Sequence, residues 1–97
     1  ITFSGGDPLH VKNREDTEAL IRRVRAEFPD KTVWLYTGFT WEEIKELPFI
    51  SLVDVLVDGR FVEELKDSTL KWKGSSNQRV IDVKKSLDMD RPVLHTE

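Results

Sequence analysis

The sequence predicts an α/β fold built on a parallel sheet, and three observations carry that reading. Short β-branched and aromatic runs alternate with helical periodicity in the order strand–helix–strand–helix–strand, an order that asks for right-handed crossovers between parallel neighbours. The first helical stretch is long enough to carry the chain back along the sheet and far too long for a hairpin turn. Each of the three runs, ending at Phe3, Tyr36 and Val57, passes directly into a turn that contains glycine.

Ile1-Thr2-Phe3 reads as the end of a buried strand, and Ser4-Gly5-Gly6-Asp7-Pro8 as a loop dense in turn formers. Asn13 offers a helix N-cap, with Asp16 three residues on. Thr17, Leu20, Ile21, Val24 and Phe28 follow at helical spacing, so a helix is expected over 14–28, ended by Pro29. Val33-Trp34-Leu35-Tyr36 is the second strand, closed by Thr37-Gly38. Thr40-Trp41-Glu42-Glu43 has the form of a capping box, and Ile44 and Leu47 continue a short helix that Pro48 stops. Leu52 to Val57 is the third strand, closed by Asp58-Gly59. Parallel order then sets residues 1–3, 33–37 and 53–57 side by side, with the helix over 14–28 covering one face.

After Gly59 the regularity fades. Phe61 to Leu65 has the length of one helical turn, Gly74-Ser75-Ser76-Asn77 reads as a loop, and Arg79 to Val83 alternates like a last strand. Residues 84–97 are polar and read as a loose tail. The expected organisation is therefore one partial domain over 1–83 and a tail over 84–97.

Composition bounds the chemistry. With 97 residues, 38% of them apolar, the chain supports one small core and not two. It has no cysteine, which removes disulfides, thiol catalysis and iron–sulfur ligation by these residues themselves. No stretch approaches the roughly 20 apolar residues that span a bilayer, and no N-terminal segment reads as a signal peptide. A net charge of −3 gives no broad nucleic-acid footprint. Neither a membrane nor a nucleic acid is expected as a partner, and a cytoplasmic place is expected. A chain that opens inside an apolar strand, at Ile1, reads as a piece of a longer protein.

In a parallel α/β sheet the three strand exits share the carboxyl edge, where ligands bind. The plainer alternative is that glycines simply end strands. Gly5-Gly6-Asp7 is the most informative cluster: two glycines leave backbone groups open at close range, and a carboxylate beside them can hold an ammonium group. It has neither the spacing of a dinucleotide fingerprint nor a Walker lysine. An exposed loop carboxylate of this kind is expected to add little to packing. Thr37 and Asp58 are further polar groups on the same edge. Lys71 to Arg79 interleaves basic residues with Trp72, but residues 60–79 carry five basic against three acidic side chains, and a solvated loop with an aromatic anchor is preferred over a nucleic-acid contact. His10 and His95 are isolated, so no metal site is expected. Asp54 and Asp58 share a face of one strand but lie too far apart for concerted acid–base work.

Four runs of the sequence are recognisable together: Thr2-Phe3-Ser4-Gly5-Gly6-Asp7-Pro8-Leu9, Trp34 to Thr40, Val53 to Val62, and Lys73-Gly74-Ser75-Ser76-Asn77-Gln78-Arg79-Val80-Ile81-Asp82. In this order and at this spacing they resemble the family of activating proteins of anaerobic (class III) ribonucleoside-triphosphate reductases, which are radical S-adenosylmethionine enzymes. The resemblance covers residues 1–83. It implies a partial (βα) barrel that binds S-adenosylmethionine and a 4Fe-4S cluster. It also implies reductive cleavage of the sulfonium to a 5′-deoxyadenosyl radical, which takes hydrogen from a glycine of the partner reductase. Self-association is a further family tendency. Ser4, Gly5, Gly6 and Asp7 match the family's Gly-Gly-Glu-type motif, with Asp in place of Glu, and that motif holds the amino group of the methionine moiety. Thr37 and Asp58 are the other cofactor-binding candidates.

The family's cluster loop, Cys-x-x-x-Cys-x-x-Cys, is absent. The chain alone is therefore expected to hold no cluster, to carry no catalytic residue of its own and to be inactive, the cluster belonging to the full-length protein. For Ser75 to Arg79, a family signature, ligand contact and partner contact are both open. The rival reading is a non-catalytic α/β module that binds a phosphate or a nucleotide.

Overall fold

A computed structural model describes residues 1–4 and 6–95. Among them, four strands form one sheet in the order β1 (Thr2–Phe3), β2 (Trp34–Tyr36), β3 (Val55–Asp58) and β4 (Arg79–Asp82). β1 lies parallel to β2 with Thr2 opposite Trp34, and β2 parallel to β3 with Leu35 opposite Leu56, as the strand–helix alternation requires. β4 runs antiparallel to β3, Val57 opposite Val80 and Asp58 opposite Arg79. The sheet is thus mixed, which corrects the expectation of a wholly parallel one. Its physical reason lies in the connection: between β3 and β4 the described chain forms only a single 3-10 turn, Glu63–Leu65, and no crossover helix carries it back to the start of the sheet.

Helix α1 spans Val11–Glu27 and starts earlier than the expected 14–28. His10, not Asn13, is its N-cap, its Nδ1 accepting from the Lys12 N–H at 3.2 Å. Asn13 instead sends its amide back to the carbonyls of Gly6 and Asp7, both at 3.1 Å, and so braces the β1 exit loop. Helix α2, Trp41–Ile44, begins as the capping box foretells: the Thr40 N–H donates to Glu43 Oε1 at 2.9 Å. Helix α3 spans Val83–Met89 and is capped by Asp82, whose side chain accepts from the Lys85 N–H at 3.0 Å. The chain then returns along β4, Asp82 N–H to Val93 carbonyl and His95 N–H to Val80 carbonyl, each at 2.8 Å. The expected loose tail from residue 84 is therefore ordered through His95. Its polar composition hid Ser86, which is fully buried and donates to the Asp82 carbonyl at 2.6 Å.

Strand alternation sorts the core into two faces. Leu35, Leu56 and Ile81 point to the helical side, where they meet Leu9, Ile21 and Phe49. Each such side chain contributes about 1.5–3 kcal/mol by leaving water. Val55, Val57 and Val80 point the other way, under Trp34, Tyr36 and Trp72. Trp72 holds φ +69, a left-handed conformation that a bulky residue adopts only under constraint. Its carbonyl accepts the Tyr36 hydroxyl at 2.7 Å, and its ring lies 5.5 Å from Trp34 and 5.1 Å from His95. No helix among the described residues is long and apolar enough to cross a membrane.

Candidate functional site at the strand exits

The carboxyl ends of β1, β2 and β3 open on one edge of the sheet. A cleft of about 390 Å³ lies there, lined by Gly6, Asp7, Tyr36, Thr37, Gly59 and Arg60 among others. That size suits a small-molecule ligand. A second recess of about 250 Å³ adjoins it, sharing Asp7, Gly38 and Arg60 and adding His10 and Glu43.

Asp7 is the centre of the edge. Its Oδ1 accepts from the Leu9 N–H at 3.0 Å and from the Thr37 hydroxyl at 2.8 Å, and its Oδ2 accepts from the Gly38 N–H at 2.9 Å. A carboxylate offers about four acceptor positions, so Oδ2 keeps capacity for one more donor. Gly38 makes the approach possible, since a Cβ there would stand 3.3 Å from Asp7 Oδ2. Thr37 is buried, and its hydroxyl is committed to Asp7 on one side and to the Phe39 N–H, at 3.2 Å, on the other. It frames the site.

The remaining sequence candidates divide. Gly6, with φ +25, lines the cleft. Ser4 lies instead in a groove on the α1 side with Phe3, Asn13 and Leu20. Gly5 lies outside the described residues. Asp58 is 1% exposed and, two residues after Leu56, faces the helical side rather than the cleft. It accepts from the Trp41 N–H at 2.7 Å and is gripped by the Arg79 guanidinium, whose Nε approaches Oδ1 at 3.1 Å. Arg79 also reaches Glu42 at 2.7 Å. The hydrogen bonds that Arg79 donates to Asp58, then to Glu42, hold the guanidinium protonated well beyond its ordinary range, and the bond from Arg79 holds the Glu42 carboxyl below its own. Asp54 sits at the far end of β3, where it binds Arg25 at 2.6 Å and the Val33 N–H at 2.7 Å, apart from the site.

Sequence reasoning missed Arg60 and Tyr36 in the cleft wall; Gln78, which also lines it, lies in the Ser75 to Arg79 signature for which ligand contact was open. For Arg60 a signal existed, a basic residue directly after the third glycine exit. Its backbone lies beside Gly38, its side chain forms no ion pair among the described residues, and it lines the same recess as Asp7. Tyr36 was hidden as a strand residue; burial pushes its phenol upward from the ordinary range.

Residues 1–81 match the family described as the 4Fe-4S single cluster domain. Curated relatives carry the name anaerobic ribonucleoside-triphosphate reductase-activating protein. The one from Escherichia coli (strain K12) is 49% identical over 82 residues, which cover 82% of this chain and 53% of that protein. The one from Enterobacteria phage T4 is 45% identical over 80 residues, 82% of this chain and 51% of the relative. The one from Vibrio cholerae is 46% identical over 83 residues, 80% and 52% respectively. The chain spans about half the length of the curated relatives it matches. No solved structure matches it. The resemblance read from the four sequence runs is borne out by these relatives.

Proposed function

Because the chain belongs to the 4Fe-4S single cluster domain family, we propose that it forms the S-adenosylmethionine-binding edge of a cytoplasmic glycyl-radical activase, whose target is an anaerobic ribonucleoside-triphosphate reductase. The target is taken from the names of the relatives. The observation that carries the binding role is the pairing of Asp7 and Arg60 on one recess at the carboxyl edge. A free α-amino acid end carries an ammonium and a carboxylate, and these two side chains complement both. Asp7 Oδ2 accepts a hydrogen bond from the ammonium while the Thr37 hydroxyl and the Gly38 N–H hold the Asp7 carboxylate in place; Arg60 pairs with the ligand's carboxylate through charge-assisted hydrogen bonds. Phe61 and Tyr36 supply the apolar wall beside them. When bound, S-adenosylmethionine supplies one-electron chemistry at its sulfonium.

The 4Fe-4S cluster does not fit the residues present. The chain has no thiolate, and among the described residues no group of three or more His, Asp or Glu is placed to hold a metal. We therefore assign cluster ligation to cysteines outside these 97 residues. The three parallel strands with their helices on one side are consistent with a segment of a (βα) barrel whose carboxyl edge carries the site.

Equilibrium binding of S-adenosylmethionine to the full-length protein tests the reading. Asp7→Ala removes a charge-assisted bond of about 1.5–3 kcal/mol, so affinity should fall roughly 10- to 150-fold. Unchanged affinity in a folded Asp7→Ala variant would return Asp7 to a purely architectural role.

A further inference from the structure

The β3–β4 pairing does not stop where the strands end. Val57 lies opposite Val80 and Asp58 opposite Arg79 in the backbone ladder. Beyond that point side chains continue the same register. The Gln78 amide donates to the Gly59 carbonyl at 3.0 Å, the Asn77 amide donates to the Arg60 carbonyl at 2.8 Å, and the Ser75 hydroxyl accepts from the Val62 N–H at 3.2 Å. Gln78, Asn77 and Ser75 thus each meet the residue that would face them if the ladder ran on, while the Ser76 N–H turns to the Leu65 carbonyl at 3.0 Å. The loop is itself self-bonded. Gln78 Oε1 accepts from the N–H groups of Gly74 and Ser75 at 2.9 and 3.1 Å, and the Ser75 hydroxyl donates to Asn77 Oδ1 at 2.6 Å. Gly59 makes the turn possible, since its φ of +94 is a conformation that L side chains rarely adopt.

We infer that Asn77 and Gln78 are positioning residues that fix the Gly59–Arg60 wall of the strand-exit cleft. Neither touches the reacting part of a ligand in this role. They act through the two carbonyls they hold, and those carbonyls set where Arg60 stands relative to Asp7. The signature Ser75 to Arg79 thus gains a function: it carries the sheet's order one turn past its edge, where a backbone ladder alone would fray. The effect on ligand affinity rests on the proposed S-adenosylmethionine site; the positioning itself does not.

Two conservative variants isolate the grip. Asn77→Asp keeps the acceptor for Ser75 and loses the donor to Arg60; Gln78→Glu keeps the acceptor for Gly74 and Ser75 and loses the donor to Gly59. Amide hydrogen exchange in the full-length protein reads the wall through its neighbouring bonds, the Gly59 N–H to the Phe39 carbonyl at 2.9 Å and the Val62 N–H to the Ser75 hydroxyl at 3.2 Å. As the wall loosens both amides should exchange roughly 5- to 10-fold faster in each variant, with Gly74 and Ser75 protection retained in Gln78→Glu. S-adenosylmethionine affinity should drop by a similar roughly 5- to 10-fold, with the melting temperature close to that of the wild type. Ser75→Ala serves as the second probe and should free Val62 while leaving Gly59 protected. Unchanged exchange at Gly59 and Val62 in Asn77→Asp and Gln78→Glu would overturn the inference whatever the ligand does, as would faster exchange with unaltered affinity. If the wild type binds no S-adenosylmethionine while Gly59 and Val62 still loosen in the variants, the positioning stands and the cofactor reading falls.

Discussion

The Thr37 hydroxyl donates to Asp7 Oδ1 at 2.8 Å across 30 residues of sequence, so the carboxylate proposed to hold a ligand is also the tie between the first and second strand exits. The sequence alone suggested a loop carboxylate with little part in packing. The geometry shows a side chain that satisfies three donors, two of them from beyond its own loop.

Asp7→Ala should therefore destabilise the fold as well as weaken binding. It leaves the Thr37 hydroxyl, which is buried, without its acceptor, and a lost partner of this kind costs about 1–3 kcal/mol. Asp7→Asn should cost less, because one amide oxygen still accepts from Leu9 and Thr37. Urea titration of the two variants beside the wild type gives the order directly.

Asp58 predicts the opposite division of effects. It is 1% exposed, outside the cleft lining, and shared between the Trp41 N–H and the Arg79 guanidinium. Asp58→Ala strands Arg79, and breaking one side of a buried pair typically costs about 3–5 kcal/mol. Because Arg79 keeps 34% side-chain exposure, the lower end is expected. Chemical denaturation reads that loss; ligand affinity of the folded fraction should stay within about twofold, since Asp58 faces the helical side.

Acid should erode the outer arm of this network first. The hydrogen bond from Arg79 lowers the Glu42 carboxyl below its ordinary range, so Glu42 adds stability that is present above the unfolded glutamate value of about 4.3 and is lost as pH falls through the lower folded value. The pair is largely exposed, which screens it to well under about 1 kcal/mol. The stability gap between wild type and Glu42→Gln should be visible at neutral pH and should close as pH falls below the ordinary glutamate range. Melting curves across that range test the sign.

At Trp72 the backbone makes its own prediction. The residue holds φ +69, which costs an L side chain roughly 1–2 kcal/mol and glycine nothing. Truncating the ring loses its packing on Trp34 and His95 in any variant. Trp72→Gly should nevertheless match or exceed Trp72→Ala in stability, reversing the usual order of the two residues. Paired urea titrations decide it.

The parts of the fold legible in the sequence were those written in local pattern. Val33 to Tyr36 and Leu52 to Val57 are β-branched and apolar, the stretch between the first two strands is periodic, and Thr40 with Glu43 announces a helix start. What was hidden depended on competition or on distance. Asn13 looked like a cap but bonds the Gly6 and Asp7 carbonyls, leaving the cap to His10. The reversal of β4 follows from what residues 60–78 do not build, which no single residue states. Helix α3 escaped because a buried Ser86 reads as polar. At the site, the glycine exits and Asp7 were visible from composition. Arg60 and Gln78 became meaningful only once the folded chain set them against Gly38 and Gly59.

The most direct measurement is a titration of S-adenosylmethionine into the isotope-labelled full-length protein, followed by amide chemical shifts. Shifts should concentrate at Gly6, Asp7, Gly38 and Arg60, the residues that wall the two adjoining recesses. Saturable binding that instead moves the Trp72 and His95 face, or leaves the strand exits unmoved, would contradict a cofactor site at the carboxyl edge.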